Sequence, residues 1–147
     1  GDCHCSADAV RAYRGRVSGP LLDRIDIKVD VGRPPAGLLR PDAEPGEPSA
    51  AVAARVVAAR QRQMDCRGAT NASVAVAEID RMFGESPGAF DLLEQAATKL
   101  LLSARACRRI QRVALTIADL AGDARISRAA VAEALALWQP DRNRRTS

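Results

Sequence analysis

A mainly α-helical fold, organised as a four- to five-helix bundle, is predicted for this chain by three observations. Apolar residues make up 47% of the 147 residues but aromatic residues only 3%, so alanine supplies much of the apolar content. From residue 49 onward, apolar residues recur at the spacing of a helix face. Serine and glycine stand where such helices would begin and end. We therefore expect helices that pack closely through small side chains.

The segment before the bundle is predicted to be poorly ordered, with one short helix and one short strand. The helix is expected over residues 7–17, with Ser6 as its N-cap. Residues 25–31 alternate between apolar and charged side chains, which is the pattern of a β-strand. An isolated strand cannot hold its shape. We expect residues 1–47 to be largely disordered, or docked non-natively on the helices.

Composition divides the chain into four parts. Residues 1–31 contain the short helix and the strand. Residues 32–48 hold five prolines and three glycines, and are predicted to be a linker. Residues 49–140 form the helical domain, and residues 141–147 are a charged tail that is expected to fray.

Five helical segments are predicted in the domain. The first is expected to begin with Ser49 as N-cap and to end near Asp65, before Gly68 as a left-handed cap. Its apolar arc, which also contains the cation Arg60, consists of Val52, Ala53, Val56, Val57 and Met64. The other helices are expected over residues 74–82, 87–101, 103–121 and 127–140.

The helix that begins at Ser103 carries four arginines on one face. Arg105, Arg108, Arg109 and Arg112 fall within about 100° of arc, opposite an apolar face. Cations this close repel one another and gain from a polyanion, such as the phosphates of a nucleotide or a nucleic acid strand. The alternative is a solvated face relieved by acids from neighbouring helices, and the sequence leaves both interpretations open.

One further arginine occupies a constrained position near the N-terminus. Gly19-Pro20 breaks the backbone, Leu21-Leu22 provides apolar anchors, and Asp23-Arg24 precedes the predicted strand. A guanidinium fixed in this way suits contact with a phosphate or carboxylate presented by a neighbouring molecule. An ordinary surface arginine before an edge strand is the alternative.

Cys3-His4-Cys5 is the one cluster of soft metal ligands in the sequence. A tetrahedral zinc site needs four ligands, which this tripeptide cannot supply alone. We therefore expect no stable metal in this chain. The two interpretations of the tripeptide are part of a metal site and a disordered end with two free thiols.

Several function classes lack support in the sequence. There is no G-x-x-x-x-G-K-[ST] loop and no acid-ended strand before Arg24, so Walker A and Walker B are both absent. We expect no ATP hydrolysis by this chain alone. No run of about 18 apolar residues occurs, so we expect no membrane partner and a cytoplasmic location. The net charge of +4 permits binding to polyanions without requiring it.

Three stretches carry a resemblance to a known family. They are YRGRVSGPLLDRIDI at residues 13–27, ARQRQ at residues 59–63 followed by Asn71-Ala72, and residues 101–135, which begin LLSARACRRIQRVALTIADL. The chain resembles the magnesium-chelatase-like AAA+ ATPases of the ComM and YifB type over nearly its whole length. Residues 32–48 match no recognisable pattern.

The resemblance implies a fold and two residue roles. The helical domain would be the C-terminal lid of an AAA+ ATPase. Arg24 would be an arginine finger, which reaches the nucleotide of the adjacent subunit in trans. Arg105 would be the sensor-2 residue, which contacts the terminal phosphate in its own subunit. The family gives no role to Arg108, Arg109 and Arg112, which remain candidate nucleic-acid contacts.

The resemblance also implies a larger assembly. Because the chain begins at Gly1 without methionine, we expect it to be a C-terminal fragment of a longer ATPase. ATP, magnesium, a hexameric ring and an action on DNA would belong to that parent together with its AAA+ core. Cys3 and Cys5 would be half of a zinc site there. The alternative is a stand-alone helical module that binds nucleic acid or another protein.

Overall fold

The computed structural model of the chain describes residues 4–18, 21, 24–33, 37, 40 and 44–138. Within these residues it contains α-helices and no β-strand, so the predicted mainly helical class is confirmed. The six helices with defined bounds are α1 (Ala7–Arg14), α2 (Ser49–Arg67), α3 (Val76–Gly84), α4 (Pro87–Leu100), α5 (Ala104–Ala121) and α6 (Arg128–Leu137).

Helix α1 forms as predicted but is shorter. Ser6 caps it, because its Oγ accepts a hydrogen bond from the Ala9 amide at 3.2 Å. The helix ends at Arg14 instead of residue 17. Gly15 follows directly, and glycine has a low helix propensity because fixing its backbone costs the most entropy.

The predicted strand is wrong. Residues 25–31 are all described, and they run as an extended segment without a ladder of strand hydrogen bonds. Alternation of apolar and charged residues is compatible with extended backbone, but a strand also needs a partner, and none is present in the described part of the chain. Instead, the Lys28 amide donates to the Leu137 carbonyl oxygen at 3.2 Å, at the end of α6.

Helix α2 has the predicted C-terminus but not the predicted apolar packing. Gly68 ends it in the left-handed conformation at φ 63°. Its N-cap is Pro48, and Ser49 is already helical, so the predicted serine cap is wrong. Every residue from 49 to 58 is exposed, since only the C-terminal part of α2 packs against α5; the buried residues are Ala59 and Gln63.

The core of the bundle is built around α5. This helix packs against α6 and α2, while α4 packs against α6 and α3. The largest fully buried side chains of the core are Ile79, Phe83, Ile110 and Val131. Small residues fill the contacts between these, as the composition predicted; they are Ala89, Ala114, Ala130 and Ala134.

The remaining helix ends differ from the predictions by a few residues. Helix α3 begins at Val76 and α6 ends at Leu137, whereas the predicted end at Pro140 lies outside the described residues. Leu101 is the last residue of the helix predicted over residues 87–101. It instead follows the helix in the left-handed conformation at φ 52° and is 85% exposed. None of the helices in the described residues combines the length and apolar character needed to cross a bilayer.

Candidate functional site

The first turn of α5 presents Arg105 to solvent. Ser103 precedes the helix, and its Oγ accepts a hydrogen bond from the Ala106 amide at 3.2 Å, so this end is defined as predicted. Arg105 is exposed, and the described residues provide no hydrogen-bond or ion-pair partner for its guanidinium. A cation near a helix N-terminus is opposed by the helix dipole. A bound anion would therefore stabilise this position, because it offsets both the Arg105 charge and the partial positive charge of the helix N-terminus.

Arg108, one turn before the middle of α5, is paired across the bundle. Its guanidinium forms a bidentate ion pair with Asp80 of α3, in which Nη2 donates to Oδ2 at 3.1 Å. It also donates to Gln111 Oε1 at 3.0 Å. The hydrogen bond to Asp80 raises the pKa of the Arg108 guanidinium above its ordinary value, so the group stays charged.

Arg109 and Arg112 are partly buried and attached to other segments. Arg109 pairs through Nε with Asp26, in the extended segment before the bundle, and its Nη2 is buried without a partner in the described part. Arg112 donates weakly through Nη2 to the Val74 carbonyl oxygen at 3.4 Å. The structure thus provides an acid for Arg108 and one for Arg109. The nucleic-acid contacts of Arg108, Arg109 and Arg112 stay a prediction.

Arg24 is exposed at the beginning of the extended segment. Its amide donates to the Leu21 carbonyl oxygen at 2.9 Å, which is a turn directly before the arginine. The structure gives its side chain no partner among the described residues. Of the two predicted apolar anchors, Leu21 is described, whereas Leu22 lies outside the described residues, as do Gly19, Pro20 and Asp23.

Of the two cysteines of the predicted half-site, the structure describes one. Cys3 lies outside the described residues, whereas Cys5 is exposed and free. No group of three or more potential metal ligands occurs within the described part of the chain. Cys66 and Cys107 are likewise free thiols. Zinc binding through Cys3 and Cys5 therefore stays a prediction about a longer protein.

A buried polar cluster joins the end of α2, the following loop and α5, and sequence reasoning missed it. Arg67 donates through Nη2 to Asp119 Oδ2 at 2.5 Å, and the two side chains are only 7% and 3% exposed. Asn71 Nδ2 donates to the same carboxylate at 2.7 Å and to Thr116 Oγ1 at 3.0 Å. Gln63 Oε1 accepts from the Asn71 amide at 3.2 Å.

The missed cluster had only a weak signal in the sequence. Gln63 and Asn71 lie in the stretches that carry the family resemblance, but they had no role there. Arg67 lies directly before Gly68, the predicted cap of the first helix, a position that by itself indicates no buried pair. Arg67 and Asp119 are 52 positions apart in the chain, so no local sequence pattern predicts that they pair.

Comparison with known proteins gives matches over most of the chain. Residues 46–137 match the family described as "Magnesium chelatase, subunit ChlI C-terminal", and residues 1–38 match "Magnesium chelatase, subunit ChlI". The chain is 40% identical over 130 residues to the competence protein ComM of Haemophilus influenzae, which is 88% of this chain and 26% of the relative.

Two other relatives are similarly close. The uncharacterized protein YifB of Escherichia coli is 39% identical over 139 residues, which is 94% of this chain and 27% of the relative. An uncharacterized protein of Mycobacterium tuberculosis is 42% identical over 125 residues, 82% of this chain and 24% of the relative. The chain spans about a quarter of the length of the curated relatives it matches.

Proposed function

Because the chain belongs to the magnesium chelatase ChlI C-terminal family, we propose that it is the lid and arginine-finger portion of a magnesium-chelatase-like AAA+ ATPase. The relatives ComM and YifB support this assignment, since they match 88% and 94% of the chain. In this proposal a longer protein supplies the nucleotide pocket, and ATP and magnesium bind there. We further propose that six such subunits form a ring in the cytoplasm and that the ring acts on DNA.

The observation that carries the proposal is the state of Arg105. Of the four arginines on one side of α5, Arg108, Arg109 and Arg112 each donate to another group, whereas Arg105 is exposed without a partner among the described residues. A sensor-2 arginine must be available to a phosphate that arrives from the core domain. An arginine already held by a carboxylate would first have to break that pair.

Arg24 fits the complementary role in trans. Its side chain is exposed, and the turn at Leu21 constrains the backbone directly before it. In the proposed ring, this guanidinium contacts the nucleotide of the adjacent subunit. It would stabilise the negative charge that develops on the transferred phosphoryl group, an effect worth about 10³–10⁵ in kcat for arginine fingers.

The alternative function, a stand-alone helical module that binds nucleic acid or protein, has less support. Such a module would present the arginines of α5 together, but Arg108 and Arg109 are engaged by Asp80 and Asp26. Base-stacking aromatic residues are also scarce, at 3% of the chain. Binding of DNA by this chain with a steep dependence on salt would favour the alternative.

The experiment that tests the proposal compares three arginine variants in the longer protein. Arg24→Ala is expected to lower kcat for ATP by about 10³-fold or more. Arg105→Ala is expected to lower it by about 10²-fold, the loss of one charge-stabilising donor. Arg128→Ala is the matched control, because Arg128 is an exposed arginine on α6 with no recorded partner in the described part. Turnover that is equal in all three variants would contradict both roles.

A further inference from the structure

We propose that the ion pair between Asp26 and Arg109 couples the arginine finger to the sensor-2 helix. This inference rests on the proposed function, because it assigns a task to the connection between Arg24 and Arg105. It makes Asp26 and Arg109 positioning residues: neither touches nucleotide, and each acts through the arginine beside it.

The positions of the two paired residues along the chain suggest the coupling. Asp26 follows Arg24 by two residues, on the same extended segment. Arg109 follows Arg105 by four residues, and positions four apart lie one above the other on a helix. The ion pair therefore joins the backbone next to one candidate arginine to the helix face that carries the other.

The two members of the ion pair differ in burial. The Arg109 side chain is 15% exposed, whereas the Asp26 side chain is 56% exposed. A largely desolvated guanidinium needs an acid, and Asp26 is the carboxylate that the structure gives it. Arg109 Nη2 remains buried without a partner in the described residues, so the arginine has no substitute contact there. Arg109 is thus the fixed member and Asp26 the member that is drawn to it.

A backbone contact attaches the same segment to the neighbouring helix. The Lys28 amide donates to the Leu137 carbonyl oxygen at 3.2 Å, at the end of α6. None of the apolar side chains of this segment is buried, since Ile25, Ile27, Val29 and Val31 are 43–91% exposed. The segment can therefore be released and attached again without opening the hydrophobic core.

The consequence is a connection between two nucleotide pockets. A displacement of α5 when Arg105 engages a phosphate in its own subunit would carry Arg109, and through Asp26 the segment that holds Arg24. Arg24 acts on the pocket of the next subunit. Hydrolysis in one pocket would then depend on the nucleotide state of its neighbour, which is measured as cooperativity in ATP turnover.

The first measurement uses this chain alone and does not depend on ATP. Hydrogen exchange of the amides in residues 24–33 is compared between the unchanged chain, Asp26→Asn and Asp26→Glu. Asp26→Asn is expected to speed exchange of the Lys28 amide about tenfold, because it removes a charge-assisted hydrogen bond. Asp26→Glu keeps the charge and should restore protection. Asp91→Asn, at an exposed acid of α4 without a recorded partner in the described part, is the control. Unchanged exchange in Asp26→Asn would overturn the proposal.

The second measurement uses the longer protein and separates the two possible failures. Asp26→Asn and Arg109→Gln are expected to lower the Hill coefficient for ATP towards 1 and to lower kcat less than Arg24→Ala does. If exchange responds in the chain but the Hill coefficient does not change, the coupling is refuted while the arginine roles stand. If Arg24→Ala and Arg105→Ala leave turnover unchanged, the proposed function fails and the coupling fails with it.

Discussion

Removal of the Asp119 carboxylate is the most informative test of the fold. In Asp119→Ala, the Arg67 guanidinium loses its ion-pair partner while its side chain stays only 7% exposed. Breaking a buried ion pair by removing one partner costs about 3–5 kcal/mol, because the remaining charge is left desolvated and unpaired. Asn71 Nδ2 keeps Thr116 Oγ1 as an acceptor, so we add no further cost for that group.

The assay is urea unfolding followed by circular dichroism at the helix band. With a denaturant slope of about 2 kcal/mol/M, a loss of about 4 kcal/mol lowers the midpoint by about 2 M. Asp80→Ala is the matched control. It removes the partner of Arg108 from an ion pair whose side chains are 40% and 50% exposed, and should cost no more than about 1 kcal/mol.

A double variant distinguishes a lost partner from a lost residue. Arg67→Met combined with Asp119→Leu replaces both charges by apolar side chains of similar size, and should recover most of the stability lost in Asp119→Ala. Equal costs for Asp119→Ala and Asp80→Ala would refute the reasoning. They would mean that Arg67 is hydrated in solution.

Three further predictions concern helix ends and pH. Ser103→Ala should lower the free energy of unfolding by about 1 kcal/mol, because the hydrogen bond that caps the Ala106 amide is lost. Ser86→Ala should leave the free energy of unfolding unchanged, because Ser86 Oγ is buried without a partner in the described part. Urea unfolding of both variants checks this. Gly122→Ala should lower Tm, because φ 79° costs a side chain about 1–2 kcal/mol; an unchanged Tm would contradict it. The hydrogen bond from Arg81 lowers the pKa of Glu78 below 4.5, so its stabilisation is present above that pH and disappears as the pH falls through the folded-state pKa; Glu78→Gln should therefore lower Tm near neutral pH and not in strong acid.

Features that depend on local chemistry were predictable from the sequence. Ser6 and Ser103 cap helices through their hydroxyl oxygens, and Gly68 and Gly122 end helices in the left-handed conformation. Each of these effects is decided within four residues of the chain. The helical spacing of apolar residues along α5 also predicted its buried face correctly, and Ile110 lies on that face.

Features that depend on distant partners were not predictable. The apolar arc of α2 met the helical spacing rule, but Val56 and Val57 are 49% and 66% exposed, so the described part of the chain leaves them largely uncovered. The strand over residues 25–31 failed because no partner strand is present in the described part. Conversely, Arg67 and Asp119 form a buried ion pair although they are 52 positions apart, and the sequence around neither residue predicts the other.

The sequence named candidate site residues, whose roles stay predictions, but it did not give the contacts that these residues make. The sequence singled out Arg24 and Arg105 through the family resemblance, and both are exposed. It also grouped Arg108 and Arg109 with Arg105 on one charged face of α5. Their engagement by Asp80 and Asp26 depends on how α3 and the extended segment pack against α5, which helical periodicity does not encode.

A subunit-mixing measurement of ATP turnover tests the central claim most directly. Arg24→Ala subunits of the longer protein are combined with subunits whose own nucleotide pocket has been disabled. If Arg24 acts on the neighbouring subunit, mixed rings contain some interfaces with both an intact pocket and an intact finger, and turnover rises above that of either variant alone. If turnover stays at the level of the separate variants while mixed rings are shown to form, Arg24 does not act in trans.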